Sequence, residues 1–431
     1  MVTGTRDAVS AGRDTRPRQG TGFPSFTKSP AKERRTVRLG VDVPLLLTVI
    51  TLMIFGLLMV YSASWDYSLR LGFEATYHFE RQVMFMGLGT VVAIFLTFFN
   101  YHYFRKFAVP AMLGIIGLLV LVLIMPDNER NNAVRTIFGG SVQPSEAAKM
   151  MIIIYLSVWL FSKRDQLKNV SLGLFPLALI LGIVGGLILV QPDLSATVTI
   201  FILGGILFFL AGGDLKQIIL LLVLAVLVGT VVVFLNATGS HRIEGFLPGL
   251  KDPTLAPYHV QRALEAFVKG GWFGMGLGRG TTKLTGLPVP PTDSIFAVVG
   301  EELGVIGAVG LVALYAVLLW RGLEIARRAP DGLGTLLASG LCIWLVFEAY
   351  INMAVLVNLL PFAGNALPFI SAGGSNLVVS LAAIGILMNI SRLSVQTRDG
   401  EERKFSAVID LRRRDRRRSV PRANRSGPVE G

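Results

Sequence analysis

Charged side chains are scarce in this sequence. Asp, Glu, Lys and Arg make up 16% of its 431 residues, whereas a soluble globular chain carries about 25%. Apolar and aromatic residues reach 52%, and the mean hydropathy is +0.60. This composition is typical of a chain whose helices are solvated mostly by lipid.

The residues that common cofactor sites need are also missing. The one cysteine, Cys342, stands inside an apolar run, so no intrachain disulfide can form and zinc binding is not expected. The four histidines show no metal-ligand spacing, and no GxxxxGK[ST] phosphate loop occurs. The stretch GMGLGRG (274–280) has closely spaced glycines, but no strand precedes it, as a dinucleotide site requires. We therefore expect no ATP or dinucleotide chemistry.

The net charge of +13 comes largely from the two ends of the chain, residues 1–38 and 398–425. Basic ends on an apolar body indicate cytoplasmic tails that lie against anionic lipid, rather than a nucleic-acid binder. Both tails are rich in Arg, Ser, Gly and Pro, which is typical of disorder. We predict a disordered basic tail over 1–43, a membrane domain over 44–392 and a disordered Arg-rich tail over 393–431.

Ten apolar runs are long enough, or nearly long enough, to cross a bilayer. Lys and Arg concentrate in every second connection, which places both tails in the cytoplasm of a multi-pass inner-membrane protein. The predicted fold is therefore an all-α polytopic membrane protein of about ten transmembrane helices. The runs are 44–63, 82–99, 107–126, 145–162, 172–190, 194–212, 218–235, 294–320, 333–357 and 376–391.

Two further segments are predicted to lie on the outer side without crossing. Residues 236–293 form a long extracytoplasmic loop between helices 7 and 8, and the apolar spacing within 257–269 predicts a surface helix there. Residues 358–375 are uncharged but contain prolines and glycines. Helix-breaking sequence at membrane depth survives only where protein or a wet cavity covers it, so we predict a re-entrant loop between helices 9 and 10.

Ionisable residues inside membrane spans are costly and indicate functional sites. Each has a purely structural alternative here: Asp293 could cap a helix, Glu146 could pair with Lys149 one turn away, and Glu348 could bond to a neighbouring helix. The predicted topology places Asp293, the start of the fourth helix and the re-entrant loop on the same outer side, where a carboxylate and an ammonium form a candidate reactive pair. The polar residues concerned are Glu146, Lys149, Asp193, Asp293, Glu301, Glu302, Glu348 and Asn352.

Six motifs in fixed order give the sequence a family resemblance. They are QPSEAAK (143–149), QPD (191–193), GGWFGMGLG (270–278), LPVPPTD (287–293), GEELGVIG (300–307) and LPFISAGGS (367–375). Together they resemble the SEDS family (shape, elongation, division and sporulation; FtsW/RodA/SpoVE), and the glycine-tryptophan stretch is more similar to its cell-division branch. The resemblance covers about residues 44–392.

The resemblance implies a function. Members of this family are ten-helix peptidoglycan glycosyltransferases that polymerise lipid II at the outer face of the inner membrane, beside a class B penicillin-binding protein that supplies the transpeptidase. The family's essential aspartate falls on Asp293, expected to be the general base, and its lysine falls on Lys149, expected to hold Asp293 or to neutralise the diphosphate. Substrate-binding residues are expected at Arg135, Gln143, Ser145, Glu146, Glu302, Ser371 and Gly373. No cofactor is implied; a divalent cation could assist, although no carboxylate cluster demands one.

The sequence departs from the family pattern around the aspartate. The pattern LPExHTDF reads LPVPPTDS, with Val289, Pro291 and Ser294 at the changed positions, and Thr136 follows Arg135 where the family has tryptophan. These departures leave open an altered substrate detail, an attenuated enzyme or a non-catalytic scaffold that recruits a partner synthase. Ten spans with a polar cavity would also suit a flippase or transporter for the lipid-linked cell-wall precursor. Whether the chain serves division or shape maintenance also stays open.

Overall fold

A computed structural model describes residues 40–124, 143–235, 245–361 and 363–415, and this part of the chain is helical, with no β-strand. The segments 1–39, 125–142, 236–244 and 416–431, with residue 362, lie outside the described residues, and so does the predicted site residue Arg135. The helices are α1 Val43–Arg70, α2 Tyr77–Phe98, α3 Phe104–Ile124, α4 Pro144–Ser162, α5 Phe175–Val190, α6 Leu194–Leu210, α7 Leu215–Leu235, α8 245–251, α9 Tyr258–Gly270, α10 Ile295–Arg327, α11 Gly332–Leu356 and α12 Gly374–Asp415.

The predicted membrane architecture is confirmed. Within the described ranges, eight helices are long and apolar enough to cross a membrane, and α6 and the Leu215–Leu227 part of α7 supply two shorter apolar stretches. These helices coincide with the ten predicted runs. Asp42, Asp193 and Asp331 begin α1, α6 and α11 by accepting hydrogen bonds from backbone amides of the first turn, which satisfies donors that a helix start leaves unpaired.

Helices α11 and α12 occupy the interior of the bundle. In each of them 78% of the residues in the most apolar stretch are buried, against 11% in α2, which presents most of its surface outward. The carboxylates and amides of α11 and α12 therefore lie inside protein, where unpaired polar groups are costly, rather than against lipid.

The long helix α10 is broken near its start. Gly304 has φ 69° and ψ −168°, which is not a helical conformation, so Ile295–Leu303 and the remainder of α10 are two helical pieces. The amides of Met275 and Gly276 donate to the carbonyls of Glu301 and Glu302 at 3.0 Å each, and the amide of Val305 donates to the carbonyl of Gly271 at 2.9 Å. The segment 271–276 thus satisfies backbone groups on both sides of the break.

Glycines make this docking possible. A Cβ atom at Gly274 would lie 2.2 Å from the carbonyl oxygen of Glu302, and one at Gly304 would lie 2.5 Å from that of Trp272. A Cβ at Gly270 would lie 2.0 Å from the carbonyl oxygen of Gly300. The motifs GGWFGMGLG and GEELGVIG therefore meet backbone to backbone, at a spacing that no other residue type allows.

The two predicted non-spanning segments are resolved in part. The surface helix expected over 257–269 is α9, and its buried residues are Val260, Ala263, Ala266 and Gly270. Residues 357–373 contain no helix where described, yet Leu367, Phe369 and Ile370 are buried, as the re-entrant prediction requires. Helix α12 extends past the predicted domain boundary at residue 392, as far as Asp415.

Candidate active site

The start of α4 is joined to the start of α6. Pro144 occupies the first helical position of α4, where its missing N–H is not needed. The side-chain amide of Gln143 donates to Ser145 Oγ at 2.9 Å and to Asp193 Oδ2 at 3.2 Å. Ser145 Oγ donates to the same Asp193 oxygen at 3.2 Å. The motifs QPSEAAK and QPD therefore hold each other, with Asp193 also capping α6.

Lys149 lies between two carboxylates. Its Nζ donates to Glu146 Oε1 at 2.8 Å and to Glu348 Oε1 of α11, and it lies 5.9 Å from the centre of the Trp344 ring. The other Glu146 oxygen accepts from the Asn376 amide at 2.8 Å. All of these carboxylates and the ammonium are buried. With Lys, Glu146 and Glu348 charged, this cluster carries a net negative charge, so it needs every one of these donors.

Asp293 lies just before α10 and is partly exposed. Ser294, not Asp293, is the N-cap residue of that helix, which weakens the helix-cap interpretation of Asp293. The Asn352 amide donates to the Asp293 carbonyl at 3.0 Å and to the Asn365 carbonyl at 2.6 Å. A Cβ at Gly364 would lie 2.9 Å from Asp293 Oδ2, so the loop backbone passes directly beside the carboxylate.

The predicted re-entrant loop connects the two parts of the site. Ser371 Oγ donates to the Thr292 carbonyl at 2.7 Å, and the Ala372 amide donates to the Pro291 carbonyl at 2.8 Å. Three residues later, Ser375 Oγ accepts from the backbone N–H of Gln143 at 3.1 Å. One loop therefore touches both the Asp293 segment and the start of α4.

Gln82 of α2 fixes this loop and escaped the sequence-based search. Its amide nitrogen donates to the Ser371 carbonyl at 3.2 Å, and its amide oxygen accepts from the Gly373 N–H at 3.3 Å. Gln82 is 3% exposed. The sequence did contain a signal for this residue, namely a single glutamine at the beginning of an apolar run. A buried side-chain amide must be hydrogen-bonded, so such a glutamine indicates a specific polar contact.

Asp293 and Lys149 are linked indirectly. Lys149 and Asp293 both belong to the described residues, and the ion pairs of Lys149 are with Glu146 and Glu348, not with Asp293. The link runs along α11: Glu348 contacts Lys149, and Asn352, one turn further on, contacts Asp293. Four helical residues span about 6 Å. The direct Lys149–Asp293 contact considered from the sequence is therefore not observed.

The remaining predicted residue, Glu302, lies in a separate cluster. It accepts from Ser62 Oγ at 2.7 and 2.9 Å, from Lys283 Nζ at 2.5 Å and from the Gly278 amide at 2.9 Å. Its neighbour Glu301 accepts from the amides and hydroxyls of Thr281 and Thr282. Both carboxylates are 0% exposed. The structure thus brings Gln143, Ser145, Glu146, Lys149, Asp293, Ser371 and Gly373 into one connected network and places Glu302 in the anchor of the 278–283 loop.

The described residues contain no group of three or more His, Cys, Asp or Glu side chains arranged to hold a metal ion. Glu146 and Glu348 are bridged by Lys149. What the arrangement provides chemically is a partly exposed carboxylate, Asp293, that can accept a proton, held beside a buried charged cluster.

Comparisons with known proteins show which family the sequence matches. The model of the FtsW/RodA/SpoVE family, described as "Cell cycle protein", matches residues 43–396. A "Probable peptidoglycan glycosyltransferase FtsW" of Geobacter sp. (strain M18) is 37% identical over 360 residues, which covers 82% of this chain and 97% of the relative. "Stage V sporulation protein E" of Bacillus subtilis (strain 168) is 37% identical over 363 residues, covering 81% and 97%.

Solved structures share the fold. A chain of "Structural coordination of polymerization and crosslinking by a peptidoglycan synthase complex" superposes with a TM-score of 0.67 at 27% identity, over 83% of this chain and 99% of that chain. The rod shape determining protein RodA of Thermus thermophilus superposes with a TM-score of 0.60 at 25% identity, over 82% and 97%. A match of the family model across nearly the whole membrane domain, with relatives of this similarity, means that the chain belongs to the FtsW/RodA/SpoVE family of multi-pass membrane proteins.

Proposed function

We propose that this chain is a peptidoglycan glycosyltransferase that polymerises lipid II into glycan strands. The observation that carries the proposal is the partly exposed carboxylate of Asp293, on a segment held by Asn352 of α11 and by the loop motif LPFISAGGS. The names of the relatives, which include a probable peptidoglycan glycosyltransferase, support the same activity.

The reaction assigned to the site is a displacement at a sugar carbon. Asp293 accepts the proton of the acceptor sugar's hydroxyl, and the freed oxygen attacks the anomeric carbon of the donor. The bond from that carbon to the lipid diphosphate breaks, and the diphosphate leaves with the electron pair. Because the leaving group is already activated, the step needs no ATP.

The role proposed for Lys149 is to fix α4 against α11 and so to set the position of Asn352 beside Asp293. Its ammonium already serves two carboxylates, and recruiting it to a diphosphate would leave Glu146 and Glu348 buried and unpaired, which is costly. Arg135, which precedes α4 in the chain, is one candidate for neutralising the diphosphate charge. A divalent cation is a second candidate for the same role.

The proposed orientation has both termini in the cytoplasm and the site at the outer face. Basic residues concentrate at the end of the bundle opposite Asp293, as the positive-inside rule requires of a cytoplasmic side. They are Arg105, Lys106, Lys163, Arg164, Lys168, Lys216, Arg321, Arg327 and Arg328. Labelling of single introduced cysteines, in a chain with Cys342 replaced by serine, should reach residue 254, which is exposed just before α9, from outside and residue 415 only after permeabilisation. Labelling of residue 415 from outside would reverse the orientation.

The proposed partner is a class B penicillin-binding protein, because glycan strands without a transpeptidase are not cross-linked. The similarity to a chain of a peptidoglycan synthase complex supports a partner of this kind. Co-purification from native membrane should recover a single-span penicillin-binding protein. Full glycan synthesis in cells that lack any such complex would contradict the coupling.

The flippase alternative requires a path for a polar head group through the bundle. The Lys149 cluster and the loop at 367–371 are buried, and α11 and this loop contact the Asp293 segment. A closely packed protein interior next to Asp293 supports chemistry at one face instead. The scaffold alternative predicts no chemistry at all. One assay separates the three: purified chain in liposomes with fluorescent lipid II, without ATP, with and without a chelator. Glycan ladders support the enzyme, and transbilayer movement without ladders supports the flippase. The absence of both ladders and transbilayer movement supports the scaffold. A loss of ladders with the chelator would assign the diphosphate charge to a cation.

A further inference from the structure

His259 lies beside the segment that carries Asp293. It belongs to α9, and its Nε2 lies 2.5 Å from Oγ of Ser294, the residue that follows Asp293. Ser294 Oγ in turn lies 2.7 Å from the Pro288 carbonyl oxygen, to which it donates. A hydrogen-bonded chain therefore runs from α9 through Ser294 to the loop that precedes Asp293.

The direction of the His259 bond follows from counting protons. A serine hydroxyl has a single hydrogen, and here it is donated to the Pro288 carbonyl, which has none to give. His259 Nε2 must then donate to Ser294 Oγ. Burial lowers the pKa of His259 to about 4, so the imidazole is neutral at pH 7 and its single proton sits on Nε2.

We propose that His259 is a positioning residue for Asp293: its Nε2–H holds Ser294 and thereby fixes the backbone on which the Asp293 carboxylate is carried. Asn352 holds the Asp293 carbonyl from the α11 side. His259 holds the next residue from the α9 side. The backbone at Asp293 is thus hydrogen-bonded from both α11 and α9. A general base needs a fixed position relative to the hydroxyl that it deprotonates, and these two bonds provide it.

The bond is not needed to attach α9 to the bundle. The apolar face of α9 already does so, since Val260, Ala263 and Ala266 are buried. Phe267 packs edge-on against Phe296 of α10 with ring centres 5.5 Å apart. Ser294 also leaves the N-cap position of α10 without a side-chain cap, because its hydroxyl is directed to Pro288 instead. The polar contact therefore specifies the geometry at Asp293 rather than the docking of α9.

This inference rests on the proposed glycosyltransferase function, and its test uses matched variants of the full chain in liposomes. His259→Gln keeps an amide donor at the end of a side chain of similar reach, whereas His259→Leu removes the donor and keeps the bulk. We expect His259→Leu to lower kcat for lipid II polymerisation by about 10- to 100-fold with little change in KM, because displacement of a reacting group by about 1 Å costs on this scale. His259→Gln should recover most of the rate.

Ser294→Ala completes a double-mutant cycle. If His259 acts through Ser294, then His259→Leu combined with Ser294→Ala should be no slower than the slower single variant, since the two residues act as one unit. Equal rates for His259→Leu and wild type, or equal losses for the Leu and Gln variants, would overturn the positioning role. Thermal melting in detergent, compared across the variants, provides the measure of folded protein.

A spectroscopic readout separates this inference from the proposed function. In NMR spectra of chain labelled with ¹⁵N-histidine, the His259 signals can be assigned because they disappear in the His259→Gln variant. At pH 7 these signals should show a neutral ring protonated on Nε2. Ser294→Ala should shift the Nε2 signal. A ring protonated on Nδ1 would overturn the inference even in an active enzyme. Wild-type chain that makes no glycan but shows the Nε2–H signal would instead contradict the proposed function and leave the hydrogen bond established.

Discussion

The molecule buries two lysine–carboxylate clusters. They differ in whether they are linked to the candidate catalytic residue Asp293. Lys283 pairs with one carboxylate, Glu302, which also accepts from Ser62 and from the Gly278 amide and is 0% exposed. Lys149 pairs with two carboxylates and is linked through α11 to the partly exposed Asp293.

The difference indicates what each cluster is for. In the Lys283 cluster the lysine, Ser62 and the Gly278 amide all contact Glu302, so the cluster anchors the 278–283 loop to α1 and α10. In the Lys149 cluster one ammonium contacts two carboxylates, and one of them, Glu348, lies one turn of α11 from Asn352, which contacts the Asp293 carbonyl. Buried ion pairs contribute little net stability but are costly to break. Variants in the two clusters should therefore differ in activity far more than in stability.

The largest effect is expected from Asp293→Asn. This substitution keeps the size of the side chain and removes the base, so polymerisation should fall by about 10²- to 10⁴-fold while insertion and melting stay unchanged. The measurement is the rate of glycan formation from lipid II at matched protein. The helix-cap interpretation predicts little loss, because Asn caps a helix about as well as Asp. Unchanged activity would therefore remove the catalytic assignment.

Lys149→Met should come next. It keeps the long stem but leaves Glu146 and Glu348 buried without a cation, which typically costs about 3–5 kcal/mol of folding free energy. Because Lys149 acts on Asp293 through α11, the rate per folded molecule should also fall. Combining Lys149→Met with Asp293→Asn should be hardly slower than Asp293→Asn alone, since residues that act as a unit are not additive. A clearly slower double variant would return Lys149 to the role of neutralising the diphosphate.

Lys283→Met is the matched control in the other cluster. It strands the Glu302 carboxylate, so the free energy of unfolding should fall by a similar amount, about 3–5 kcal/mol. The rate per folded molecule should change little. Adding Glu302→Gln removes the stranded charge and should restore much of the melting temperature. A loss of polymerisation that the second substitution does not restore would place Glu302 at the substrate, as the sequence predicted.

A smaller effect is expected from Gly304→Ala, measured by thermal melting. The new Cβ would lie 2.5 Å from the Trp272 carbonyl oxygen, on a residue with φ 69°, and a strained non-glycine residue of this kind costs about 1–3 kcal/mol. Gly310→Ala in the same helix is the control, because nothing lies within 4 Å of its Cβ position. Equal stability of the two variants would mean that the 271–276 segment is not held against the break in α10.

The smallest effect concerns pH. The pKa of His259 is lowered to about 4, below its ordinary value of 6.5, so between these values the unfolded chain binds more protons than the folded one. The stability contributed by neutral His259 is therefore present above pH 6.5 and declines as the pH falls toward 4. His259→Gln should melt with a weaker pH dependence in this window. Identical profiles for variant and wild type would show that the folded ring titrates as in water.

The sequence by itself determined the membrane architecture. Bilayer thickness sets how long an apolar helix must be, so the ten runs could be read directly and coincide with helices of the structure. Contacts between close neighbours in sequence were also within reach: the Glu146–Lys149 pair lies one turn apart and is confirmed. The short loop helix α9 followed from apolar spacing alone.

Only the tertiary structure decided which polar groups meet. Glu348 is 199 positions from Lys149, and His259 is 35 from Ser294, and no local pattern encodes such pairings. The break of α10 at Gly304 was equally hidden, because its sequence is compatible with one continuous helix and the break is stabilised by hydrogen bonds from 271–276. Apolar periodicity specifies which face of a helix is buried, whereas the partner of a buried polar group is fixed by the packing of helices distant in sequence.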